Sequence, residues 1–187
     1  MDAMVVSINF RMDEKSSMVS SYFPEIYLGY KFLNIFSIQA DYRLALKRAS
    51  FGGFTPKNRI GFNFKIQKKI APLKASIRLR YQYAWDARGR TPFFQPERDH
   101  TLRAKIKISY DDWDIVSPFI GNEIFYDLGN HDLGKRFKGY RLSVGLGFNL
   151  PKRQELKIAY IYNLEIGVPN PWREHVASIG YSYSFKT

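Results

Sequence analysis

Arg59-Ile60-Gly61-Phe62-Asn63-Phe64-Lys65-Ile66-Gln67 sorts its side chains by parity. Ile60, Phe62, Phe64 and Ile66 share one face of an extended chain, while Arg59, Gly61, Asn63, Lys65 and Gln67 share the other. A period of two is the mark of a β-strand, since a helix would bring its apolar residues round every three or four positions. The same alternation sets Ile77, Leu79, Tyr81 and Tyr83 against Lys74, Ser76, Arg78, Arg80 and Gln82. It then sets Leu102, Ala104, Ile106 and Ile108 against Arg103, Lys105, Lys107 and Ser109. Extended over the chain, it predicts strands at 4–12, 24–32, 35–45, 59–68, 73–85, 101–110, 117–128, 139–149, 155–166 and 175–185. Most are close to the roughly 9–11 residues that a tilted strand needs to cross a bilayer, and longer than the roughly 5–6 usual in globular sheets.

The connections alternate as well. Short ones are predicted around 33–34, 69–72, 111–114 and 151–154, and long ones at 13–23, 46–58, 86–100, 129–138 and 167–174. Arg88-Gly89-Arg90-Thr91-Pro92 and Ser50-Phe51-Gly52-Gly53 read as loop tips. Long loops on one side, with short turns and both termini on the other, are what an even-stranded outer-membrane barrel requires; a soluble meander obeys no such rule. The expected architecture is a transmembrane, antiparallel, up-and-down β-barrel of about ten strands, one domain spanning 1–187. Met1-Asp2-Ala3-Met4 has no basic segment followed by an apolar run, so the expectation is of an export signal removed upstream.

Alternation alone does not say which face meets lipid. Two features place the apolar face outside. Gly29, Gly61, Gly121, Gly145 and Gly147 lie on the polar face among long bases, where a narrow lumen gains room from them. Aromatic residues gather at both ends of the apolar face: Tyr30, Phe32, Phe36, Tyr110, Phe148, Tyr183 and Phe185 near the short turns, and Phe10, Tyr83, Trp85, Tyr126, Tyr140 and Tyr162 near the long loops. Girdles of amphipathic rings belong at the two headgroup levels. The chain has no Cys, which excludes disulfides and thiolate metal sites, and its formal net charge is +12.

The ending Ser178-Ile179-Gly180-Tyr181-Ser182-Tyr183-Ser184-Phe185 resembles the C-terminal insertion signal of outer-membrane barrels. That resemblance implies recognition of Ser178, Gly180, Tyr183 and Phe185 by the barrel-assembly machinery. A wider resemblance runs through Glu25-Ile26-Tyr27-Leu28-Gly29-Tyr30-Lys31-Phe32, Ala40-Asp41-Tyr42-Arg43 and Leu79-Arg80-Tyr81-Gln82-Tyr83. It continues through Pro118-Phe119-Ile120-Gly121-Asn122-Glu123-Ile124-Phe125-Tyr126 and Arg141-Leu142-Ser143-Val144-Gly145-Leu146-Gly147-Phe148. Together these are similar to the outer-membrane barrels of Bacteroidota classed as domain of unknown function 2490. Members usually begin with a further tryptophan-bearing strand, which is not found before Val5. The resemblance implies a barrel in the bacterial outer membrane, with outer-membrane lipid, lipopolysaccharide and other outer-membrane proteins as partners, and it implies no activity.

By strand parity the lumen receives Arg11, Lys31, Arg43, Arg59, Lys65, Arg78, Arg80, Arg103, Lys105, Lys107, Arg141 and Lys157, against Glu25, Asp41, Glu123, Glu155 and Glu165. The densest basic cluster is Arg78, Arg80, Arg103, Lys105 and Lys107, with Asp41, Glu123 and Glu165 as expected acidic partners. Inward bases argue against nucleic-acid binding, which needs an outward patch. No histidine is followed by the x-Ser of an outer-membrane hydrolase; His175 and Ser178 are three apart, hence on opposite faces of a strand. No catalytic residue, metal site or cofactor is expected, and His131-Asp132 reads as an exposed turn. Two functions stand open: an accessory or structural barrel with a filled lumen, acting alone or within a larger outer-membrane assembly, and a narrow channel or vestibule for small anionic solutes.

Overall fold

The computed structural model describes residues 3–12, 19–33, 35–48, 53–86, 100–129 and 136–185. Ten strands follow one another along the chain: β1 (Ala3–Met12), β2 (Val19–Phe32), β3 (Phe36–Arg48), β4 (Phe54–Ile70), β5 (Leu73–Asp86), β6 (His100–Tyr110), β7 (Val116–Asp127), β8 (Arg136–Leu150), β9 (Gln154–Glu165) and β10 (Arg173–Phe185). Each pairs antiparallel with its chain neighbours, and β1 pairs with β10 to close the barrel. Closure leaves the sheet no open edge among the described residues, as a strand wall without water to bond its backbone requires. The expected fold is therefore the observed one.

The barrel is inverted relative to a soluble one. Phe62, Leu79 and Ile106 are 56, 55 and 56 % exposed, whereas Arg59, Gln82 and Glu123 are 2, 2 and 1 % exposed. A surface of this kind is stable only where hydrocarbon, not water, covers it. Aromatic ladders mark its ends. Tyr30, Phe32, Phe36 and Phe64 stack in series across β2, β3 and β4 on the short-turn side, with ring centroids 6.4, 5.5 and 6.0 Å apart. On the long-loop side Tyr83 stacks on Trp85 at 5.5 Å and meets His100 at 4.8 Å, and Tyr162 meets His175 at 5.2 Å.

Four strands run further than their composition suggested. Residues 19–23, 46–48, 54–58 and 136–138, all expected as loop, are paired strand. In these stretches Tyr22, Leu46, Phe54 and Phe137 still face outward, but Pro24, Pro56 and the irregularity at Lys138 break up the pattern while the hydrogen-bonded ladder continues. The long-loop side is thus a taller wall with shorter loops. A second departure is a bulge where β7 meets β8 between Phe125 and Tyr126. It inserts one residue against Phe125 and turns Lys138 inward. The tips at 88–92 and 50–52, His131-Asp132 and the side chain of Arg11 lie outside the described residues.

Candidate functional site: a stratified charged lumen

Inward residues on adjacent strands lie side by side, so the strand register dictates which charges can meet. The register sets Glu25 opposite Arg43, Arg43 opposite Arg59, and Asp41 opposite Gly61. Glu25, with its side chain fully buried, takes an ion pair from Arg43, a second from Arg59 at 3.2 Å, and lies 3.8 Å from Arg80. Arg80 also pairs with Asp41, which accepts a hydrogen bond from Asn63 Nδ2 at 2.8 Å. Gly61 is what permits this: a Cβ there would lie 2.6 Å from Arg80 Nη2 and 2.8 Å from Asp41 Oδ1.

A second acidic centre lies across the lumen. Glu123 accepts from Arg78 Nη2 at 2.7 Å and from Arg103 through both Nε and Nη2, at 3.0 and 2.9 Å, with Arg141 Nη1 at 3.7 Å. The two-pronged approach of Arg103 fixes the orientation of both groups, as a planar guanidinium can and an ammonium cannot. Arg103 Nη1 donates to Gln82, Arg141 Nε donates to Asn163, and Asn163 Nδ2 donates to Glu174. Inward aromatic faces carry further positive charge: Arg43 sits 4.5 Å from the Phe23 ring, and Arg103 and Arg141 sit 4.6 and 4.9 Å from that of Phe125. The result is a layer of six arginines and three carboxylates, contributed by β2 to β8 and continued onto β9 and β10 through Asn163 and Glu174. Nearer the loops, Lys138 pairs with Asp127.

The short-turn half of the lumen has different chemistry. Its bases are lysines, among them Lys31 on β2, Lys65 on β4, Lys74 on β5, Lys107 on β6 and Lys157 on β9, with Lys105 on β6 at the border with the arginines. Lys105 lies against Gly121, where a Cβ would fall 3.0 Å from its Cε, and Lys107 Nζ lies 4.4 Å from the Phe119 ring. Lys157 pairs with Glu155 at 3.1 Å, and Lys74 lies 3.8 Å from Asp111 at the mouth. A depression of about 780 Å³ lies elsewhere, on the lipid-facing wall, where Ala40 sits among Leu28, Ile38, Phe62 and Leu79; of the charged residues just described, Arg80 reaches its edge.

Residues 3–173 match the protein family of unknown function DUF2490. The chain belongs to that family. Among solved structures this DUF2490 barrel is similar to the NanC porin, at 15 % identity over 96 % of this chain and 98 % of that one, with a TM-score of 0.51. It is similar to an outer-membrane channel from Pseudomonas putida F1 at 8 % identity, covering 99 % of this chain and 96 % of that one, with a TM-score of 0.58. It is also similar to the β domain of the Bordetella autotransporter BrkA at 11 % identity, covering 98 % and 99 %, with a TM-score of 0.54. At these identities the likeness is one of fold. No curated protein matches.

In the DUF2490 barrel the five bases expected as one cluster divide between two levels. Arg78, Arg80 and Arg103 belong to the ion-pair layer; Lys105 stands at its level, between Arg78 and Glu123 in register but without an ion pair among the described residues, and Lys107 lies below it. Asp41 and Glu123 sit within that layer, but Glu165 is at the loop-side rim, 3.9 Å from Arg136. Glu25 holds the corresponding place in the layer, a role that parity alone did not single out. Lys138 was hidden by the bulge, which reverses the phase after Phe137. Phe23 and Phe125 follow the lumen parity, yet their apolar character masks that role in the sequence. Ser178 and Gly180 sit on the lumen side of β10, and Tyr183 and Phe185 on the lipid side, their rings 4.6 Å apart. His175 faces outward beside Tyr160 while Ser178 faces inward, so the two share no site. Among the described residues there is no group of three or more metal-ligating side chains.

Proposed function

We propose that this chain is an outer-membrane barrel closed to through-flow, serving a structural or accessory role in that membrane rather than conducting solutes across it. The observation that carries this reading is the layer in which Glu25, Asp41 and Glu123 are each held by buried arginines from strands one or two places away. A barrel of ten strands is little wider than one whose side chains fill the interior. Long guanidinium groups lying flat against Gly61 and across the aromatic rings occupy what remains. The long strand extensions above the lipid then present the surface through which such a barrel would meet partners. The test is incorporation of the refolded protein into a planar bilayer. The closed reading expects no current above baseline, and regular conductance steps would overturn it in favour of an open anion-attracting channel.

A further inference from the structure

We propose that the short-turn half of the lumen is a blind vestibule that binds a small phosphate-bearing anion entering from the periplasmic side. This inference rests on the closed reading, which supplies its ceiling.

The first support is the separation of the two kinds of base. The six cations that hold the layer's carboxylates are arginines, whose fork matches a fixed carboxylate, and Lys105 stands beside them without an ion pair among the described residues. The cations below, Lys65, Lys74, Lys107 and Lys157 among them, are lysines, strongly hydrated point charges that suit a mobile ligand and bind phosphate well. Strand composition has no reason to sort the two bases by height. The second support is convergence. Lys65, Lys74, Lys107 and Lys157 come from four different strands and lie within electrostatic range of one another and of Glu155. Lys65, Lys105 and Lys107 are half-buried and form no ion pair among the described residues. Bases of one sign gathered in a partly desolvated tube repel each other, and a multivalent anion at their centre reverses the sign of that interaction.

The third support is the facing wall. On β8 and β10 the inward positions include Gly147, Ser178 and Ser182. Small residues opposite long ones leave width, and the hydroxyls of Ser178 and Ser182 supply neutral donors to phosphate oxygens. Glu155 stands at the mouth with Lys157 and sets a limit, because an anion must pass that carboxylate to reach Lys65 and Lys107.

The experiment uses the full chain refolded in uncharged detergent micelles, with inorganic pyrophosphate as the probe in low-salt calorimetry. Lys65→Gln with Lys107→Gln should weaken binding by about tenfold or more, since two of the converging charges are lost. Lys68→Gln, on the exposed outer face, should leave affinity unchanged. In parallel, acylation by a water-soluble reagent, read by mass spectrometry, should show pyrophosphate protecting Lys65, Lys107 and Lys157 but not Lys68. That measurement needs no variant and decides the matter should the double replacement fail to fold. Absence of binding, binding indifferent to the double replacement, or citrate bound as tightly as pyrophosphate would each overturn the proposal. Its failure would leave the bilayer silent, whereas failure of the closed reading would appear as current.

Discussion

Glu123→Ala is the perturbation for which the ion-pair layer makes its sharpest demand. The carboxylate is 1 % exposed and lies within 2.7 to 3.7 Å of guanidinium nitrogens from Arg78, Arg103 and Arg141. Removing it leaves three like charges facing one another with no anion between them. Breaking a buried pair by deleting one partner costs about 3–5 kcal/mol, because the survivor stays desolvated. Arg78 and Arg141 are 26 and 15 % exposed, so water relieves them in part, and the expected loss is toward the lower end, about 3 kcal/mol. Arg103→Met on top of Glu123→Ala should then cost less than the two single changes added together, with a coupling energy of roughly 1–3 kcal/mol. The assay is urea unfolding in detergent or lipid followed by tryptophan fluorescence, checked by the gel shift between folded and heat-denatured barrel. A Glu123→Ala variant within about 0.5 kcal/mol of the parent would refute the reasoning, because it would mean the three arginines are already hydrated and the layer is not a seal.

Four further outcomes follow from the same geometry. Arg80→Gln should lower stability by about 2–4 kcal/mol, while Lys107→Gln, below the layer, should cost less than about 1 kcal/mol; equal effects would deny that the cluster is divided. Gly61→Ala should cost about 1–3 kcal/mol in the same unfolding assay, since its Cβ would displace Arg80 and Asp41 from each other, and a neutral result would show the pair to be loosely held. Lys152 and Arg153 sit at φ 57° and 62° in the turn between β8 and β9, so Lys152→Asn with Arg153→Gly should stabilise by about 1 kcal/mol or more, and a lowered unfolding midpoint would contradict that. Tyr183→Ala with Phe185→Ala should reduce the folded, membrane-inserted yield and raise periplasmic degradation, and unchanged yield would remove the C-terminal signal from the account.

Where the sequence could be read and where it could not has a physical pattern. Parity is set by the backbone alone, so Arg80, Arg103 and Glu123 could be placed in the lumen without knowing a single contact. Height is set by strand tilt and register around the whole barrel, which no local window contains. Arg78 and Glu123 stand on either side of Lys105 in register, yet it is Arg78 that reaches across to bond Glu123 while Lys105 lies over Gly121. The loop ends failed for a different reason: Thr55 and Lys57 face the lumen with Pro56 and Asn58 on the outer side, so the composition of this paired strand imitates a loop. Lys138 shows the cost of one inserted residue, which exchanges inside for outside.

The account rests on a lumen sealed at mid-height, and one-sided labelling of single cysteines tests that directly. The chain has no native Cys, so each introduced thiol reports alone. Thr55→Cys stands on the lumen side of β4 toward the long loops, and Ser76→Cys stands on the lumen side of β5, opposite Lys107 and toward the short turns. A membrane-impermeant maleimide small enough to enter a barrel mouth is added to intact cells and, separately, to cells whose periplasm has been opened. A sealed lumen predicts that Thr55→Cys is modified from outside and Ser76→Cys only from the periplasm. Rapid modification of Ser76→Cys in intact cells would show an open path through the arginine layer and contradict the account.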